Sequence, residues 1–505
     1  MKLDFWNNPI IVSAFRVRYR RGGFTSGLAP YLIGLTALGA GLEYYQDKLT
    51  VPWTSIYYPV LMGFQFLMSG VMASAATAGS MRAEVMNRTL DFQRIATLTP
   101  RQIQVGKLLG EPAIAYLFSM STFPLAMWCF LAGGVDFEVM ILMYVNLSTT
   151  LLLCGATGLI GRLELPAGQP MGLFLSVWAI GMPIPLFVGL AQHSPWGIAI
   201  PLFGVDIPYS LLLPPVQLLM TFVCFRIMER QLISPMNPLL SKPMTYVIGA
   251  GMDLVVAALI FGLSQGALKR GLPPAPPEFA LGIFWFAHFI VSFLLIMGMT
   301  SWRQSIYSWI WRFRRRRPYL VDLWLGDRSV NILAVATFAA LGLVSLVAFV
   351  IVPAIWMDGW DDVRTAMPNM IALSLTCTVL ILTWGTIHQW FVLIGGRSAS
   401  PFALVLFIVA MTVPWLGALK KETEWIESFS PGVHFAYWLG APSRPAFSYL
   451  IVVGLYFVTF LLFFRLIRRR LKQMEALVDY KLRVMGVLVA GPKKQLQPEK
   501  LSKNT

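Results

Sequence analysis

The feature that most constrains this chain is the recurrence of apolar runs about 20 residues long, each sufficient as a helix to cross roughly 30 Å of hydrocarbon. FEVMILMYVNLSTTLLLCGATGLI (137–160) and YVIGAGMDLVVAALIFGL (246–263) are two of them. Hydrocarbon offers the backbone no hydrogen-bonding partner, so a spanning segment is either a helix or a strand of a closed barrel. A barrel would need alternating segments of about 10 residues, and the chain lacks them. With 57% hydrophobic and 13% charged residues and a mean hydropathy of +0.66, the balance is far from that of a soluble domain. The expected fold class is therefore all-α, a polytopic integral membrane protein.

The runs read as twelve spans, at 24–42, 56–79, 108–133, 137–161, 170–191, 207–226, 245–265, 280–300, 331–353, 368–390, 401–418 and 446–465. Prolines at 183, 185, 208, 214, 215 and 414 interrupt the fifth, sixth and eleventh. An even number puts both termini on one side, and that side carries 33 of the 40 lysines and arginines against 7 opposite. The positive-inside rule makes it the cytoplasm, so a bacterial-type inner membrane with both termini cytoplasmic is expected. The expected domains are an N-terminal interface helix (1–23), a six-span half (24–226) with cytoplasmic helices at 82–107, and a linker (227–244). A second six-span half (245–465) with a basic loop at 301–330 follows, then a basic tail (466–505).

Several chemistries are excluded. The net charge of +16 is a topology signal, since no recognition module or aromatic-interleaved basic platform for nucleic acid is present. The four cysteines fall inside apolar runs without metal-ligand or disulfide spacing and read as packing residues. The first 20 residues lack the apolar core of a cleavable signal. Val105-Gly106-Lys107-Leu108 lacks the upstream glycine and following Ser or Thr of a phosphate-binding loop, so this chain cannot hydrolyse ATP. His288 and His388 differ in depth, which disfavours joint haem ligation; a buried, hydrogen-bonded histidine is the expected role. No cofactor or metal is expected here.

Two stretches are built as cytoplasmic helices. In NNPIIVSAFRVRYRRGG, Asn8 is a good N-cap and Pro9 fits the first helical position. Ile11, Phe15 and Tyr19 recur on one face, while Arg16, Arg18, Arg20 and Arg21 can reach lipid phosphates as interface anchors. In LTPRQI (98–103), Thr99 caps the helix, Pro100 takes its first position, Gln102 completes a capping box and Leu98 can staple to Ile103. The chain must turn at about residue 98. Residues 82–95 form a second short helix in this reading, giving a rigid elbow that can push on the third span.

These residues carry a resemblance. Glu84, then Arg88-Thr89-Leu90-Asp91, Thr99-Pro100-Arg101 and Gly106-Lys107 resemble the first cytoplasmic loop of ABC-2 type transporter permeases, the membrane halves of type V ABC exporters. That loop has an acidic residue, Gly-Thr-Leu-Glu, an apolar run, Pro with a polar neighbour, and Gly-Lys. The N-terminal helix is also similar to that of such permeases. Here Arg88 stands for the usual glycine and Asp91 for the glutamate. The resemblance covers about the first 230 residues; the second half shares only topology. It implies that this loop docks on separate ABC ATPase subunits, which bind ATP and Mg, with Glu84, Arg88, Thr89, Asp91, Arg94, Thr99, Pro100, Arg101 and Lys107 as the contact set.

Asp253 is the acid placed well inside a span, roughly 12 Å from the cytoplasmic end. Such a group is a functional candidate by default. A proton relay, a substrate contact and a structural hydrogen bond all fit it, and no intramembrane basic partner is evident. Glu111, before Pro112, reads either as an acidic kink near a gate or as an interfacial residue. The loops at 356–369 and 420–446 are acidic and aromatic, which suits headgroup anchoring; the second is long enough to hold a surface or re-entrant helix. The expected function is an exporter permease for a lipid-like or amphiphilic substrate, with membrane lipid and further membrane subunits as other partners. A non-transporting scaffold and an ion-driven secondary transporter are the alternatives.

Overall fold

The computed structural model describes residues 8–20, 23–89, 98–160, 175–177, 179–191, 199–202, 205–234, 237–269, 277–300, 303–313, 320–327, 329–347, 360–395 and 446–484. The helices of the first part are α1 (Pro9–Arg20), α2 (Gly23–Tyr44), α3 (Trp53–Met86), α4 (Pro100–Gly110), α5 (Ala113–Ser121), α6 (Phe123–Leu131), α7 (Phe137–Ile160), α8 (Ile184–Ala191) and α9 (Tyr209–Ile233). Those of the second are α10 (Lys242–Lys269), α11 (Pro277–Met299), α12 (Arg303–Phe313), α13 (Leu320–Leu325), α14 (Ile332–Leu346), α15 (Trp360–Gly395) and α16 (Ala446–Val484). A small antiparallel hairpin, β1 (Ala199–Leu202) with β2 (Val205–Pro208), pairs Ala199 with Pro208 and packs β1 on α10.

Six segments among the described residues are long and apolar enough to cross a membrane: Trp53–Met86, Ala113–Leu131, Phe137–Ile160, Tyr209–Ile233, Lys242–Gly262 and Ser374–Gly395. The bent pair of α11 and α12 makes a seventh if taken as one span. The chain is a mostly helical, membrane-embedded protein.

In the first half α3 packs on α7 and α7 on α9. Lipid tails are as apolar as leucine, so close fit and buried hydrogen bonds hold such helices together. Small side chains permit the fit: a Cβ at Gly158 would collide with the Ser74 carbonyl oxygen. Between α7 and α9, Thr149 donates to Gln217 Oε1 and Gln217 Nε2 donates to Thr150 Oγ1 at 2.7 Å. Asn146 reaches the Ser210 carbonyl at 2.9 Å. The opposite face of α3 leaves Val60, Phe64, Leu67, Met68 and Val71 exposed, a helical stripe suited to lipid.

In the later part of the chain α11 packs on α15 and α15 on α16, while α10 and α14 close over α11. Helix α16, with 39 residues, is about 58 Å long at 1.5 Å per residue and so outruns the hydrocarbon. Its extension packs on α12 in a separate apolar cluster of Ile306, Ile310, Val330, Leu393, Ile467, Met474 and Val478. A polar knot joins the halves. Arg230 of α9 meets Asp327 at 2.9 Å, and the Asp327 carboxylate also accepts from the Lys242 backbone N–H at 3.1 Å. The Lys242 ammonium, fully buried, donates to Ser329 Oγ at 2.7 Å and to the Leu323 carbonyl at 3.0 Å.

Three sequence boundaries move. Residues 82–86 are the last turns of α3 and not the start of the separate helix expected at 82–95; after the break at Asn87 and Arg88, Thr89 is helical again, and residues 90–95 of that expected helix lie outside the described residues. The Asn87 N–H still bonds to the Ala83 carbonyl, and no proline after Pro59 interrupts the ladder. The expected linker at 227–244 shrinks, because α9 continues to Ile233 before a serine and a proline end it, supported by the Arg226–Glu229 pair at i,i+3. Helix α15 begins at Trp360, ahead of the expected span at 368. The expected eleventh span, most of the loop at 420–446, the start of the 356–369 loop and the tail beyond Val484 lie outside the described residues.

Candidate functional site

Helix α4 begins as its residues dictate. Thr99 is extended and its side chain accepts from the Gln102 N–H, while Gln102 Oε1 accepts from the Thr99 N–H at 2.9 Å, completing the capping box with Pro100 at the first helical position. Helix α3 ends at Met86, and Arg88, two residues further on, has a φ of 57°, the left-handed one among the described non-glycine residues. Since an L side chain pays about 1–2 kcal/mol there, Arg88 stands at a position that favours glycine.

The contact set divides by where its charges point. Lys107 turns inward, fully buried, with its ammonium 2.7 Å from Glu84 of α3 and donating to Ser80 Oγ at 3.2 Å. Ser80 in turn donates to Glu111 at 2.7 Å. Glu84, Lys107 and Glu111 thus brace α3 against α4 instead of facing outward. The Thr89 hydroxyl closes the turn on the Glu84 carbonyl at 3.3 Å. Arg82, Arg88 and Arg101 are exposed; Arg101, with 69% of its side chain accessible, also meets Glu229 of α9 at 3.3 Å. Asp91 and Arg94 lie outside the described residues.

Helix α1 is held to α4. Asn8 caps it, accepting from the Ile10 N–H at 3.0 Å, and donates its amide to the Gln102 carbonyl at 2.9 Å. The helix crosses α4 where Gly106 and Gly110, four residues apart, bare the backbone: a Cβ at Gly106 would lie 2.7 Å from Ile10 Cβ, and one at Gly110 3.0 Å from Ala14 Cβ. From the other side Gln104 donates to the Phe225 carbonyl of α9 at 3.1 Å. So α4 is clamped by α1, α3 and α9. Of the arginine anchors, Arg16 is exposed; Arg18 and Arg20 belong to α1, and Arg21 lies outside the described residues. Sequence reading missed Ser80, Gln104 and Glu229, whose roles depend on which helices meet. The Gly106/Gly110 spacing was a usable signal for a helix crossing.

Within the second half, Asp253 has a partner that sequence reading did not supply. His288 Nδ1 lies 2.7 Å from Asp253 Oδ1, both residues buried, at the junction of α10, α11 and α14. The two sites are separate, one a mechanical joint at a helix end and the other an ionisable pair inside a helical core. Among the described residues no group of three or more His, Cys, Asp or Glu could hold a metal ion. No family model, curated protein or solved structure matches the chain.

Proposed function

We propose that this chain is the membrane subunit of an ATP-driven exporter of the ABC-2 type, moved by separate ATPase subunits that dock on the elbow between α3 and α4. The observation that carries the reading is Arg88. Among the described residues the left-handed non-glycine one falls at the position where the ABC-2 pattern has glycine, so sequence motif and backbone demand coincide at one residue. The clamping of α4 supports the same reading. A push on the exposed arginines Arg82, Arg88 and Arg101 passes into a helix that cannot swing independently, because it is held to α1, α3 and α9. Only the short Glu111-Pro112 break separates it from the α5–α6 span.

In this proposal the full chain has twelve spans in a 6+6 arrangement within a bacterial-type inner membrane, with both termini cytoplasmic. The shared packing order, α3–α7–α9 and α11–α15–α16, supports the duplication. The halves are not equivalent: α12, in the place of the coupling loop, is covered by the extension of α16. The ATPase therefore engages the first half in a manner the second cannot copy. ATP and Mg bind on the partner, and the substrate is lipid-like or amphiphilic.

The test is a gentle-detergent pull-down of the chain with mass spectrometry of its partners, comparing wild type with Arg88→Glu/Arg94→Glu. The proposal expects an ABC ATPase with the wild type and its loss with the charge reversal. Recovery of only non-ABC membrane subunits with a folded wild type would replace it by the scaffold reading.

A further inference from the structure

Asp253 and His288 sit at matched depth on neighbouring helices. Each is eleven residues from the end of its helix at the Lys242–Met299 side (242 to 253 and 288 to 299), roughly 16 Å in at 1.5 Å per residue. The ends are tied by the Leu240 N–H bond to the Gly298 carbonyl at 2.9 Å. Phe284 stacks on the imidazole with an interplanar angle of 9°, and Trp285 meets it edge-on. Gly342 of α14 makes room for the ring, since a Cβ there would lie 2.6 Å from His288 Nε2.

The partners of the ring define its protonation states. Nε2 faces the Phe338 carbonyl at 3.2 Å and Ser292 Oγ at 3.1 Å. A carbonyl only accepts, whereas a hydroxyl donates or accepts. When Nε2 carries a proton it donates to Phe338, and the 2.7 Å Nδ1–Oδ1 contact then requires a second proton between ring and carboxyl. The pair is neutral overall in that state, whichever partner holds the shared proton. When the Nε2 proton leaves to water, Nδ1–H donates to the carboxylate and the Ser292 hydroxyl turns to donate to Nε2. That state is an anion. Asp253 Oδ2 is buried without a hydrogen-bond partner.

No other described charge offsets the pair. Helix α14 carries no ionisable residue over Ile332–Leu346. The side chains described on α15 from Ser374 onward offer Cys377 and His388, and His388 bonds to Thr300 beside the Met299 end. On α10, Lys242 and Tyr246 turn to the Leu323–Val330 segment and to the Trp324 carbonyl. There Asp322 and Asp327 also lie, the latter with Arg230. On the hairpin, β1 is uncharged and Asp206 of β2 is exposed.

We propose that Asp253 and His288 form a proton-binding site inside the membrane. The closed α10–α11–α14 junction holds the proton. Release couples rotation of the Ser292 hydroxyl to opening of the junction, which lets water reach Asp253 Oδ2. The inference is independent of the ATPase reading and gives the second half a role of its own.

The test uses the full-length chain in lipid nanodiscs, labelled with ¹⁵N-histidine, with solid-state NMR reading each imidazole nitrogen across pH. Four histidines are present, and His288 is identified by loss of its signal in His288→Gln. If that variant does not fold, the signal that moves in Ser292→Ala identifies it. The expected result is one imidazole that exchanges its Nε2 proton in a single step within the range in which the protein stays folded. In Ser292→Ala the ring keeps that proton to about tenfold lower proton concentration, the worth of one buried hydrogen bond. An imidazole fixed in one state throughout the range in which the protein stays folded would overturn the proposal. So would a step that Ser292→Ala leaves in place.

Discussion

Gly106→Ala tests the clamp on α4 by adding one methyl group. The new Cβ would sit 2.7 Å from Ile10 Cβ, 3.0 Å from Ile10 Cγ2 and 3.1 Å from Asn8 Oδ1. Carbon atoms rest at about 3.5–4.0 Å, so α1 must retreat by about 1 Å. Rotation of Ile10 does not help, because the nearest atom is its Cβ, which the backbone fixes. A retreat of that size takes the bond from Asn8 Nδ2 to the Gln102 carbonyl, now 2.9 Å, beyond hydrogen-bonding reach. The lost bond costs about 1 kcal/mol and the overpacking about 1–3 kcal/mol. At the lower end, near 2 kcal/mol, local opening of α1 rises about 30-fold. Hydrogen exchange of the α1 amides, read by mass spectrometry in nanodiscs, measures that opening. Gly110→Ala should behave similarly, whereas Gly79→Ala, with no atom within 4 Å of its added Cβ, should leave α1 unchanged. Unaltered exchange in Gly106→Ala would refute the clamp.

Other substitutions address the remaining joints. Arg88→Gly relieves the left-handed strain and raises thermal stability by up to about 1 kcal/mol, while Arg88→Val lowers it; equal melting points would argue against the φ of 57°. Thr99→Ala removes the capping oxygen and costs about 1 kcal/mol, read as faster exchange in the first turn of α4 alone. Lys242→Met removes the ammonium donor from the Val330 carbonyl and Ser329 Oγ, while the Leu323 carbonyl keeps the Ser329 hydroxyl at 3.2 Å, a loss of about 3 kcal/mol in thermal or denaturant unfolding. Retained stability would mean that water or another donor replaces the ammonium.

What the sequence disclosed depended on how local each feature was. The apolar runs and the helix start at Thr99-Pro100-Arg101-Gln102 were legible, because span length and cap chemistry are set within a few residues. The end of α3 was not: residues 82–86 carry charges that suggest a surface helix, yet the hydrogen-bond ladder runs through them to Asn87. The Asp253–His288 pair was legible only in part. Each residue was placed within the membrane, but their meeting required knowing that α10 and α11 are neighbours in matching register. Lys107 shows the same limit. A lysine in a polar loop reads as a surface charge, and only the approach of Glu84 and Ser80 from α3 accounts for its burial.

The most direct measurement of the central claim is cross-linking from the elbow in native membranes. A cysteine replacing Arg88, exposed just past the end of α3, is labelled with a maleimide-benzophenone and irradiated, so that the partner needs no thiol; the native cysteines are all buried. The account predicts an adduct with an ABC ATPase whose yield changes on ATP addition, and no such adduct from a cysteine on the lipid-facing stripe at Leu67. Adducts with other membrane proteins alone, or a yield indifferent to ATP, would contradict it.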